Sequence, residues 1–181
     1  FVILRPHEYL EILQGMPIMP SLMIIGLLAF PFAKQRQSGF IQNKLVTLFV
    51  VIMSISLALS GWIGGIFITV AQFLPIIFLY FFTTDSVTDE KKVERVMFVL
   101  VISAAVMAIH GIQQHSYGVG WTGSGMIEGR ITYIGIFSDP NDLGQYFVCT
   151  IPMMIYLYKI QTSLIKKLFY IFILFAVLYA A

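Results

Sequence analysis

The chain has 181 residues, 59% of them hydrophobic and only 11% charged, with a formal net charge of +2 and a mean hydropathy of +0.88. Soluble domains carry about 25% charged residues, so this chain has too little charge to cover a water-facing surface, and a soluble globular domain is excluded. There is no basic run suited to nucleic acid and no acidic tail.

An all-α integral membrane protein is therefore expected, and a transmembrane helix needs about 20 mostly apolar residues. The first candidate span is short, 17–33, with Pro20 and Pro31 near its ends. The second, 45–60, leads through Gly61, Trp62, Gly64 and Gly65 into the third, 66–82. That glycine cluster reads as an interfacial turn in preference to a small-residue packing patch. The fourth span is 93–110 and the fifth 143–158; the sixth, 168–181, is cut short inside an apolar run. A helix ending in hydrocarbon leaves its last carbonyls without partners. Together with a first residue other than Met, this leads to the expectation of one polytopic membrane region of a longer protein.

Charge placement predicts the orientation. Lys34, Arg36 and Lys44 lie between the first and second spans, and Lys91, Lys92 and Arg95 between the third and fourth. Lys159, Lys166 and Lys167 lie between the fifth and sixth, so nine of the eleven basic residues fall in alternate connections. The positive-inside rule makes these cytoplasmic and places the N-terminal segment with Arg5, and the loop 111–140 with Arg130, on the opposite side.

That loop is the longest glycine-rich interruption in the chain, and long loops tend to be functional or disordered. Arg130 sits among glycines, where small neighbours let backbone amides approach a bound anion alongside the guanidinium. The following Ser138-Asp139-Pro140-Asn141-Asp142 first reads as a helix start. Ser138 or Asp139 suits the N-cap, Pro140 the first helical position, and Asp142 the box position three residues beyond Asp139. A second reading is that the positive end of this helix helps hold an anionic group.

Other signals fail on context. Gly118-Val119-Gly120-Trp121-Thr122-Gly123 has the G-x-G-x-x-G spacing but follows a membrane helix and not a strand, so a dinucleotide site is not expected. His110 and His115 are five apart, wrong for two ligands on one helical face, and no third ligand is evident; no metal or cofactor is expected. Asp139 and Asp142 share a helix start and do not form an intramembrane carboxylate dyad. Cys149, the single cysteine, reads as a small apolar residue, with no disulfide framework within one chain.

Gly129-Arg130, then Gly135-Ile136-Phe137-Ser138-Asp139-Pro140-Asn141-Asp142-Leu143-Gly144 and an apolar helix containing Pro152, resembles the O-antigen ligase and polymerase superfamily. The D-P-N-D-L version is most similar to the O-antigen-ligase-like group, including exosortase-associated O-glycosylation ligases. Arg5-Pro6-His7-Glu8-Tyr9 is similar to the R-P-x-E-Y stretch near the start of those proteins. The resemblance implies glycosyl transfer in the bacterial inner membrane. A glycan leaves a polyprenyl-diphosphate carrier on the periplasmic side and joins a hydroxyl of a glycolipid, polysaccharide or protein. It also implies a diphosphate-binding role for Arg130 and, secondarily, for Asp139 and Asn141. The family's catalytic histidine belongs to a large loop downstream, so the isolated 181-residue piece is expected to be inactive.

Two other classes compete. A transporter or flippase of lipid-linked or small anionic substrates would share the hydropathy and the lone arginine. Transporters, however, place ionisable or unwound elements near the bilayer midplane, whereas these spans are nearly free of charge and show no internal repeat. A non-catalytic membrane scaffold is a third reading, which nothing in the sequence excludes.

Overall fold

The computed structural model describes residues 3–29 and 41–180. They are mostly helical, with no strand among them beyond two isolated bridges. The helices are α1 (Pro6–Tyr9), α2 (Ile18–Ala29), α3 (Ile41–Leu59), α4 (Ile63–Ser86), α5 (Glu90–Tyr117), α6 (Pro140–Ile160) and α7 (Leu164–Ala180). Of these, α3, α4 and α5 are each long and apolar enough to cross a membrane, which fits the chain to a lipid bilayer. Residues 30–33 of the first expected span lie outside the described residues, as do Lys34 and Arg36.

The chain divides into two compact units, Pro20–Asp89 and a second made of Phe1–Met19 with Glu90–Ala181. In the first, α3 and α4 form an antiparallel hairpin. Gly61 (φ 82°) closes α3, with Gly61 N–H donating to Ala58 O at 3.0 Å and Trp62 N–H to Leu57 O at 3.1 Å. This paired 5→2 and 6→1 arrangement satisfies the last carbonyls of α3 and reverses the chain. Across the hairpin, Phe49 meets Phe73 at 6.2 Å between ring centroids and Tyr80 Oη donates to Asn43 Oδ1 at 3.0 Å. No residue of α3 is buried, as suits a helix whose solvent is hydrocarbon.

The second unit is a three-helix bundle in which α5, α6 and α7 each pack on the other two. Its core takes Val101, Ala104, Met107 and Ala108 from α5, Leu143, Phe147, Met154 and Leu157 from α6, and Tyr170, Ile173 and Val177 from α7. The three- and four-residue spacing of each set defines one apolar stripe per helix. The chain runs up α5, down α6 and up α7. Lys91, Lys92, Arg95, Lys159, Lys166 and Lys167 therefore gather at one end of this bundle, and Arg130 belongs to the other.

One element departs from expectation. The sequence predicts a fourth span over 93–110 and a loop from Gly111, yet α5 continues unbroken through Tyr117. The physical reason is that Gln113, Gln114 and His115 are polar but not solvent loop. Gln114 is fully buried, as is His110 one turn earlier, and both extend the inward face of α5 into the connection that follows.

Candidate anion-binding cleft at the Arg130 end of the bundle

The segment between α5 and α6 is held by side chains that α5 sends into it. Gln114 Nε2 donates to Ser124 O at 2.9 Å and to Thr132 Oγ1 at 3.2 Å, while its Oε1 accepts from Thr132 N–H at 2.8 Å. Thr132 Oγ1 in turn donates to Gly125 O at 2.9 Å, and Trp121 N–H donates to Gln113 Oε1 at 3.1 Å. His110 Nε2 lies 2.8 Å from Thr122 Oγ1, with its ring edge-on to Trp121 and Tyr133 at 4.8 and 5.0 Å. Gly120 lies so close to this imidazole that a Cβ there would overlap the ring. His110 Nδ1 is buried without a partner, but the bonds made by Gln113, Gln114 and His110 Nε2 tie the segment to α5, and the loop is a folded cap.

Within the cap, Glu128 and Gly129 both adopt positive φ (52° and 76°), and Ile127 and Arg130 exchange backbone hydrogen bonds at 3.0 and 2.9 Å. Two successive left-handed residues between a bonded pair make the two-residue hairpin turn whose twist suits an antiparallel ribbon. The turn delivers Arg130 to the start of α6.

There Arg130 Nη1 donates to Asn141 Oδ1 at 3.1 Å and Nη2 to Glu128 Oε2 at 2.9 Å. Asp139 is the N-cap: its Oδ1 accepts from Asn141 N–H at 2.7 Å, and Pro140 takes the first helical position. Ser138 instead closes the preceding 3-10 turn, Gly135–Phe137, donating its N–H to Gly135 O at 3.2 Å. Asp142 occupies the first turn of α6, but among the described residues it makes no return bond that would complete a capping box. Asp139 serves the backbone, whereas Arg130 and Asn141 touch through their side chains.

These two residues line a cleft of about 620 Å³ between the ends of α5, α6 and α7. Its polar wall adds His115 and Gln145, and its apolar wall includes Leu143, Phe147 and Tyr179. The sequence offers His115 only as a rejected metal ligand, and Gln145 not at all. The available signal was their helical register: His115 lies one turn beyond Gly111, and Gln145 one turn beyond Asn141. The ion pair of Arg130 with Glu128 is exposed, with side chains 49% and 78% accessible. Such pairs contribute little, so an incoming dianion can exchange for the Glu128 carboxylate at small cost.

The N-terminal segment belongs to the same end. Tyr133 Oη donates to Leu4 O at 3.0 Å; burial, and then the neighbouring Tyr9 hydroxyl, raise the Tyr133 phenol above its ordinary range, so it stays a donor. Arg5, paired with Glu8, lies directly over Gly135, where a Cβ would meet its guanidinium. Arg5-Pro6-His7-Glu8-Tyr9 and the Gly135–Phe137 turn, remote in sequence, thus touch in space.

Gly118–Gly123 follows the end of α5 and folds on itself, Gly123 N–H donating to Gly120 O at 2.9 Å. No group of three His, Cys, Asp or Glu side chains converges among the described residues, and Cys149 is exposed on α6. Compared with protein-family models, curated proteins and solved structures, the chain yields no match, so function must be argued from the cleft itself.

Proposed function

We propose that this chain is the membrane part of a glycan ligase that takes its donor as a polyprenyl diphosphate at the Arg130 cleft. The observation that carries this reading is the convergence of Arg130, Asn141 and the first turn of α6 on one amphipathic cleft at the end of a membrane-type bundle. A diphosphate needs a fixed cation and amide donors, and the polyprenyl chain needs an apolar exit towards lipid. Arg130 supplies the planar fork suited to phosphate oxygens, Asn141 orients it, and the positive end of α6 adds to the field.

In the reaction, the bond from the sugar anomeric carbon to the diphosphate oxygen breaks and a bond to the acceptor hydroxyl oxygen forms. The hydroxyl proton passes to a base that these residues do not assign. Arg130 would neutralise charge as it develops on the leaving diphosphate, and such donors commonly contribute about 100-fold or more to the rate. Six spans, with the basic end of the bundle cytoplasmic and the cleft periplasmic in a bacterial inner membrane, complete the proposal. The acceptor is a glycolipid, a polysaccharide or a protein.

Glycan transfer by the full-length protein in membranes, at matched expression, tests this. Arg130→Ala is expected to lower transfer at least about 100-fold with membrane insertion retained. Unchanged transfer would remove Arg130 from the site, and absence of transfer by the unaltered protein would favour the transporter class.

A further inference from the structure

The opposite end of the same bundle holds a second cleft, of about 580 Å³, between the start of α5, the end of α6 and the start of α7. Lys91 and Arg95, one turn apart on α5, share its rim with Lys166 of α7, against a single carboxylate, Glu94. None of the three cations forms an ion pair with a carboxylate among the described residues. Below the rim the wall turns apolar: Leu157 and Tyr170 are buried at its base, and Phe98 and Phe169 flank it half-exposed. A soluble anion would use the rim and leave this apolar wall uncovered. An amphiphile with a phosphate head and hydrocarbon tails matches both parts.

We propose that this cleft is a binding site for one anionic glycerophospholipid. Its phosphate would lie among Lys91, Arg95 and Lys166, and an acyl chain along Phe98 and Phe169. Basic pockets between membrane helices recognise anionic headgroups in this manner. The site is separate from Arg130 and does not depend on the ligase reading. Its occupant would join α5 to α7 where the two helices begin, bracing the bundle from the end remote from the polar cap.

The test is thermal unfolding of the purified protein in neutral detergent, titrated with phosphatidylglycerol, phosphatidylcholine or glycerol 3-phosphate. Phosphatidylglycerol is expected to raise the midpoint saturably, and the other two are not. Lys91→Gln with Lys166→Gln should weaken the half-saturating concentration at least about tenfold. Lys159→Gln with Lys167→Gln removes the same charge outside the cleft and should leave it unchanged. If the first pair abolishes cooperative unfolding without lipid, Arg95→Gln alone is read, with at least about a threefold weakening expected. Equal effects of the two double variants, an unchanged response in Arg95→Gln, or an equal shift from phosphatidylcholine or glycerol 3-phosphate would overturn the assignment.

Discussion

Replacing Gln114 with Ala is expected to open the cap over the α5–α6 connection while leaving the helical bundle folded. The side chain is fully buried, and its amide both donates to Ser124 O and Thr132 Oγ1 and accepts from Thr132 N–H. Its removal leaves the buried Thr132 N–H without its partner and takes one bond each from Ser124 O and Thr132 Oγ1, which keep Gly120 N–H and Gly125 O. A buried group left without a partner costs about 1–3 kcal/mol. The readout is the rate of tryptic cleavage after Arg130, which is slow while the hairpin turn is held. Because such cleavage follows the population of the opened segment, an increase of at least about tenfold is expected. Helical circular dichroism should change little. An unaltered cleavage rate would mean that the loop is held by something other than Gln114.

The second large effect is steric. Gly120→Ala places a methyl group in the space of the His110 imidazole. That ring is fully buried between Trp121 and Tyr133 and cannot turn away. Overpacking of this kind costs about 1–3 kcal/mol, visible as a lower unfolding midpoint in detergent. His110→Ala should be destabilising by itself, through lost packing and the lost partner of Thr122. In the double variant the two penalties should fall well short of adding, because the shortened residue 110 makes room for the new methyl. Strict additivity in this cycle would show that Gly120 and His110 do not share the contact.

Much of the helical framework could be read from the chain. The apolar runs place α3, α4 and α5, and the Asp139-Pro140 start of α6 follows from capping chemistry, with Asp139 and not Ser138 carrying the cap. The end of α5 was missed because polar residues after His110 looked like loop. Its inward face nevertheless continues at Ser103, Met107, His110 and Gln114, three and four apart, and that period outlasts the hydrophobicity. The Glu128-Gly129 turn carries only half of a hairpin signature, since Glu, unlike Asn or Asp, is not a usual left-handed residue. The approach of Arg5 to Gly135 spans 130 residues of sequence, and no local rule predicts it.

At the cleft, Arg130 and Asn141 were both legible as candidates, but not as partners. Their contact depends on the turn at Glu128-Gly129 and on the cap at Asp139 together. His115 was set aside on metal-ligand spacing, a criterion that does not bear on lining an anion cleft. The side chains that shape the cap, Gln113 and Gln114, carry no motif and emerge only from their hydrogen bonds.

The most direct measurement is equilibrium binding of a short-chain isoprenyl diphosphate to the purified protein in detergent, beside the corresponding monophosphate and alcohol. The account predicts saturable binding in the order diphosphate, monophosphate, alcohol, with Arg130→Ala weakening the diphosphate at least about tenfold and the alcohol hardly at all. Equal binding of diphosphate and alcohol, or diphosphate affinity untouched by Arg130→Ala, would contradict it.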